Sequence, residues 1–300
     1  MGFASIDALV SAITVSNRIA KLGFNKTIQT GATSAAGRWH ELLSAGGTGG
    51  QMVLTGTAGT GISRNRSSVG ALPLNGDVGA LTRHLLSMTA ITSSATAVPS
   101  YLLLTDIIHL YPSLALTGAP STLSNHPTWT GTGDTRLTNA NGVQASLIVT
   151  TATTAGNGQI TLTYTNEAGT SGRTTAAPTG SLFAPATATP VGACYGQTNT
   201  AVTVGGLFHP TQAGDLGIQS VQSYVVNTGA TSGVGCLVLH RPIAYIPLVA
   251  ANVAGERDFL NQIPALPRIY DDSCLGMFIQ VGGALTAGSI VCGEIQYAWN

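Results

Sequence analysis

Charge is what this 300-residue chain has least of. Twelve basic and twelve acidic side chains make up 8% of it, and the formal net charge is zero. An ordinary soluble domain carries about 25% charged residues. Without clustered Lys and Arg there is no electrostatic footprint for a nucleic-acid groove or an anionic membrane surface. Aromatics are few as well, at 6%, and Trp39, Trp129 and Trp299 are too scattered in sequence to form a sugar-stacking platform. No apolar run approaches the roughly 18 residues of a membrane-spanning helix. Disorder is also excluded, because disordered chains combine high charge with low hydrophobicity, whereas 44% of these residues are hydrophobic.

The cysteines are few and far apart. Cys194, Cys236, Cys274 and Cys292 show no CxxC unit of the kind that holds zinc or runs redox chemistry, and in a reducing compartment they read as small buried thiols. A cytoplasmic site of synthesis follows from the N-terminus: Arg18, Lys21 and Lys26 come after its apolar stretch, the reverse of an export signal.

What replaces charge is Gly, Thr and Ser, 38, 40 and 23 residues respectively, a third of the chain. Phe3 to Leu22 has helical three-and-four spacing of apolar residues and reads as one amphipathic helix. The segment from Gly46 to Gly61, followed by Arg64 and Arg66, is dense in glycine and reads as a flexible loop that orders on a neighbouring subunit. It matches neither the P-loop nor the dinucleotide fingerprint. Gly79 to Met88 reads as a short helix, with Leu81, Leu85, Leu86 and Met88 inward.

From about Val98 the pattern changes to strands. Tyr101 to Tyr111 is an apolar run compatible with a buried strand or a short helix, ended by Pro112. Ala145 to Ala152 and Gln159 to Thr165 read as a hairpin joined through Asn157-Gly158. Further strands are expected at Ala201 to Val204, Gln219 to Val226, Gly235 to Leu239, Gly276 to Val281 and Ser289 to Tyr297. Residues 174 to 214 contain no Asp, Glu, Lys or Arg, and with Pro178, Pro185 and Pro190 they read as an extended surface excursion. The fold class is therefore mainly β: a β-sandwich or jelly-roll-like body with an N-terminal amphipathic helix and long Gly/Thr/Pro-rich loops. The chain divides at 97 and 98 into a helical arm with its Gly-rich segment (1–97) and a β body (98–300), or forms one continuous domain.

Catalytic signatures do not emerge. No pair among His40, His84, His109, His126, His209 and His240 has metal-site spacing, and there is no Gly-x-Ser-x-Gly elbow. Asp106 and His109 would meet on a helix and face opposite ways on a strand. The acidic pairs Glu256/Asp258 and Asp271/Asp272 lack the surrounding donors of a calcium loop, and Asp271/Asp272 reads as a turn with Arg268 as counter-charge. No catalytic, cofactor-binding or metal residue is assigned, and no cofactor is expected.

Five segments in order, LLLTDIIHLYP (Leu102 to Pro112), GVQASLIVTT (Gly142 to Thr151), LTYTNEAGTSGR (Leu162 to Arg173), GIQSVQS (Gly217 to Ser223) and LPRIYD (Leu266 to Asp271), together resemble a group of tailed-bacteriophage virion structural proteins. The resemblance implies a non-enzymatic virion component assembled in the host cytoplasm. Low charge then favours a capsid cement or decoration protein, a homo-oligomer (trimer or dimer) whose partners are the phage major capsid protein and neighbouring copies of itself. Tail tube, major shell subunit, and a host-glycan-binding β-domain using Trp129 or Asp271/Asp272 stand as alternatives.

Overall fold

The computed structural model describes residues 3–28, 37–118, 121–129, 135–154, 160–175, 191–195, 206–226, 232–262 and 266–300. The chain opens with helix α1 (Ile6–Thr14) and continues as strands β1 (Ile19–Thr27), β2 (Arg38–Glu41), β3 (Gly46–Gly47), β4 (Ile62–Ser63) and β5 (Arg83–Thr92). Next come β6 (Ser100–Ala115), β7 (Ser121–Thr122), β8 (Gln144–Thr151), β9 (Ile160–Asn166), β10 (Arg173–Thr174) and β11 (Ala193–Tyr195). The remainder is β12 (Ile218–Val226), β13 (Val234–Leu248), β14 (Gly255–Asp258), a short helix α2 (Phe259–Gln262), β15 (Arg268–Ile269), β16 (Leu275–Val281) and β17 (Ile290–Trp299). The expected class holds: the chain is mainly β, its sheets packed on one another, with a helix at its start.

The central sheet closes on itself. Its order is β13-β8-β11-β2-β16-β6, and β6 pairs back with β13 along nearly its whole length, from Ala115↔Val234 to Ser100↔Leu248. The result is a six-stranded antiparallel ring, with β4 attached to β6 beyond the end of β16. Alternation along its strands separates interior from exterior. Trp39, Leu103, Ile107, Leu110, Ile148, Cys194, Cys236, Val238 and Phe278 form the inner cluster.

The exterior of the ring is covered on two sides. Leu102, Leu104, Ile246, Met277 and Ile279 pack against Phe24, Leu85, Met88, Val291 and Ile295 of a sheet ordered β14-β5-β17-β1-β3. Leu147, Val149, Leu237 and Leu239 pack against Leu162, Tyr164, Val221 and Tyr224 of a four-stranded sheet, β10-β9-β12-β7. Strands on both sides of residue 97 share sheets, β1 and β5 with β17, and β2 with β16.

Several local expectations are corrected. The helix at Phe3 to Leu22 stops at Thr14, with Ser5 as its N-cap, because Asn17 takes a left-handed φ of 50° and the chain then joins β17 as β1. Gly79 to Met88 is not helical. Its apolar residues begin β5, whose Leu85 and Leu86 are buried on opposite faces, one in the core against the ring and the other under α1. A strand covered on both faces shows the continuous apolar run that also suits a helix. The strand at Tyr101 runs through Pro112, which sits in the bulge between the Tyr111↔Leu237 and Leu114↔Gly235 pairs, where no ladder hydrogen bond is required of it.

The expected hairpin does not form, although both strands exist. β8 pairs with β11 and β13, filling both its edges, while β9 pairs with β10 and β12 in the outer sheet. The Asn157-Gly158 turn, Ala201 to Val204, and Pro178, Pro185 and Pro190 lie outside the described residues. Of the excursion from 174 to 214, Ala193 to Tyr195 returns as a strand of the ring, and Leu207 and His209 are buried.

The glycine-rich segment is built into its own subunit. Lys26, 2% exposed, donates to the carbonyls of Gly50 (2.9 Å) and Ala45 (3.4 Å), and Met52 and Leu54 enter the inner cluster. Gly49 has φ 80°, and any Cβ there would collide with the carbonyl of Ala71. Gly49→Ala should therefore cost about 1–3 kcal/mol through strain and overpacking, seen as a lowered midpoint in denaturant unfolding. A midpoint equal to wild type would show that the segment gives way freely.

Candidate functional site

In a fold so poor in charge, the polar groups that are buried reveal what chemistry the molecule can do. Inside the ring, His240 is bracketed by two hydroxyls: Thr105 Oγ1 lies 2.8 Å from Nδ1 and Ser146 Oγ lies 2.8 Å from Nε2. The same hydroxyls are 2.8 Å from the carbonyls of Arg241 and Leu207. Burial holds the imidazole near pKa 3, so it is neutral. A neutral ring donates from one nitrogen and accepts at the other, so one of the hydroxyls must turn its proton from carbonyl to ring. Ser146 and His240 have the separation of a nucleophile and its base, yet both are 0% exposed, with the ring packed against Phe278 and Phe208. The arrangement specifies the core, and no substrate reaches it. No signal in the sequence singles out Ser146, and nothing in it brings β8 to β13.

On the outside of the ring, Asp106 and Arg136 form an ion pair at 3.0 Å, both 2% exposed at the side chain. Burial pushes the Asp106 carboxyl up, and Arg136, Arg241, Ser273 and the Cys274 N–H act against it. Arg136 also donates to the Arg64 carbonyl, and its own carbonyl accepts from Arg241. His109 is elsewhere, 3.2 Å from Ser63 Oγ through Nδ1. Asp106 and His109 make no dyad, as strand geometry requires.

A third cluster clasps the excursion. Arg173 and Asp215 are the charged residues bracketing the uncharged stretch, and they pair with each other through Nε (3.0 Å) and Nη2 (2.8 Å). Tyr164 OH and Asn166 Nδ2 donate to the same carboxylate. Arg173 first, then Tyr164 and Asn166, hold Asp215 down at about 2 against the opposing effect of burial.

Other candidates are absorbed into the fold. Asp271 faces Arg83 (3.5 Å) and Asp272 faces Arg66 (3.7 Å). The expected counter-charge, Arg268, instead stacks on Tyr270 at 4.2 Å. Asp258 caps α2 through the Leu260 and Asn261 N–H groups. Trp129, half-buried, donates from Nε1 to the Gln219 carbonyl at 2.7 Å. The four cysteines are thiols, with Cys194, Cys236 and Cys274 buried. Among the described residues no group of three or more His, Cys, Asp or Glu could hold a metal ion, and no helix is long and apolar enough to cross a membrane.

No family model and no curated protein matches the chain. Among solved structures it is similar to the VP2 subviral particle of infectious bursal disease virus, at 10% identity over 99% of this chain and 86% of that one, with a TM-score of 0.20. The Gt strain of the same virus is matched at 10% identity over 97% and 86% of the two chains, with a TM-score of 0.21. These neighbours are viral capsid proteins. At such TM-scores the chain path is not shared.

Arg136→Met should leave Asp106 buried without its partner and destabilise the protein by about 3–5 kcal/mol, measured by denaturant unfolding; a loss below about 1 kcal/mol would show that the other donors suffice. Stability should also fall on acidification. His40, His109 and His209 titrate near 4 and His240 near 3, all below the ordinary value of 6.5. The unfolded chain therefore takes up protons first, and stability declines as pH drops from about 6.5 through 4. Asp215 adds a later loss, between about pH 4 and 2. An unfolding midpoint that stays constant from pH 7.5 to 4.5 would contradict the assignment of neutral histidines.

Proposed function

We propose that this chain is a non-enzymatic structural component of a virus particle: a tailed-phage cement or decoration protein that binds the major capsid protein and neighbouring copies of itself as a trimer or dimer. The observation that carries this reading is helix α1, which is apolar on two faces. Leu9 and Ala12 are buried, with Leu9 packed against Leu86 and Ala298, while Ile6 and Val10, one turn apart, stand 68% and 50% exposed. A helix that only covered its own body would turn a polar face to water. An exposed apolar row suits burial against another protein, and few neighbouring charges need to be desolvated when it is covered.

The ordered resemblance supports the phage assignment, and its segments lie chiefly along β6, β8, β9, β12 and β15. The absence of an enzymatic role is supported by the fate of the polar groups. His240 with Ser146, Asp106 with Arg136, and Asp215 with Arg173 are all spent on holding the fold. The glycan-binding alternative loses support because Trp129 is tied to Gln219. Assembly in the host cytoplasm and residence in the virion belong to the same proposal.

Removing residues 1 to 24 would cut into β1, so the test is finer: Ile6→Glu with Val10→Glu should leave the body folded and sharply reduce incorporation into particles. Normal incorporation would remove α1 as the contact. Imaging of purified particles should find the protein in many copies across the shell lattice. A handful of copies at one vertex, or a position along the tail, would overturn the cement reading.

A further inference from the structure

Beside the buried Asp106–Arg136 pair the surface opens into a cleft of about 210 Å³, between β13 and the loop that carries β15. We propose that this cleft is a binding site for a small organic ligand bearing an oxyanion, a carboxylate or a phosphate. The proposal is independent of any role in a particle.

The chemistry of the lining carries it. Asp106, Arg241, Pro242, Arg268, Tyr270 and Ser273 contribute to the walls. Two guanidinium groups converge on one aromatic ring, Arg268 at 4.2 Å and Arg241 at 5.3 Å from the Tyr270 centroid. Arg136, at 3.0 Å, and Arg241 both act on Asp106, so with Arg268 three cations face one carboxylate and the cleft holds an excess of positive charge. In a chain with twelve cationic side chains this convergence stands out. Elsewhere, Lys21 meets Glu294, Arg66 meets Asp77 and Arg173 meets Asp215, while Arg64 and Arg257 donate to the carbonyls of Val53 and Tyr245.

The two arginines differ in readiness. Arg241 is immobilised by the carbonyls of Arg136, Asn139 and Asn141, which take four of its five N–H donors and set its plane. It supplies fixed charge. Arg268, among the described residues, has no hydrogen-bond or ion-pair partner, and its face rests on Tyr270. Stacking occupies the face of a guanidinium and leaves the donors along its edge free, the geometry that accepts an oxyanion in bidentate fashion. A cavity of about 150 Å³ accommodates benzene, so this cleft takes a ligand of that size or somewhat larger, with an apolar or ring portion against Pro242 and Pro267.

The test is calorimetric titration of the whole chain with glucuronic acid, glucose 6-phosphate and glucose. At least one of the two acids should bind, glucose should not, and added salt should weaken the interaction. The acid that binds distinguishes carboxylate from phosphate. Arg268→Gln removes no hydrogen bond and only an exposed stacking contact, so it should fold with a midpoint close to that of the wild type while weakening binding about tenfold or more. The proposal fails if neither acid binds, if glucose binds equally well, or if Arg268→Gln binds as the wild type does. For independence from the variant, ligand-induced NMR shifts in the wild-type chain should centre on Arg268 and Tyr270; shifts centred elsewhere would overturn the assignment.

Discussion

The pairing of β6 with β13 is the interaction on which the rest of the structure depends. Both strands are long enough to serve three cores at once. Leu102 and Leu104 face one outer sheet, Ile108, Tyr111 and Leu114 face the other, and Leu103, Ile107 and Leu110 point into the ring. Bulges at three points along the pair let β13 change which face it presents without breaking register overall. Pro112 and Pro242 are accommodated at two of them, where a residue that cannot donate does least harm. Closing the ring removes the edges of its longest strands, and edges are the groups a charge-poor β protein can least protect.

Scarcity of charge explains the polar architecture. Twelve acids and twelve bases must serve a large molecule, so each buried one is tied down by several donors or acceptors rather than left to solvent. Asp106 is met by Arg136, Ser273 and a backbone N–H, and Asp215 by three different side chains. Thr and Ser do the remaining work, as at His240, where hydroxyls satisfy a ring that burial keeps uncharged. The surface is left with little charge, a few exposed aliphatic side chains and, among the described residues, a cationic cleft. Those are features suited to contact with other molecules.

Much of the fold's inventory was legible from residue pattern. The strands at 145–152, 219–226, 276–281 and 289–297 appear within a residue or two of their expected places, because each is a short run bounded by Gly-, Asn- or Pro-rich turn residues. The errors fall where that signal fails. The start of β5 and the middle of β6 are covered on both faces, and a continuous apolar run does not distinguish a strand from a helix. The glycines at 46–50 looked like slack; Gly47 and Gly49 are instead close approaches to the carbonyls of Asn25 and Ala71, with positive φ at both and at Gly50. The cationic cleft was invisible for another reason. Arg241 and Arg268 are far apart in sequence, and only Tyr270 brings them together.

What the chain determines by itself is class and chemistry: a β protein, with buried thiols, a helix at its start, and no local motif for metal or catalysis. Those follow from composition and from interactions within a few residues. Tertiary structure alone decided which strand edges meet. The Asn157-Gly158 turn carries a strong local preference for joining β8 to β9, yet both edges of β8 are taken by strands from residues 193–195 and 234–240. Alternation states which face of a strand is dry; it says nothing about which edge finds which partner, since every backbone offers the same donors and acceptors. That choice falls to the packing of three cores at once.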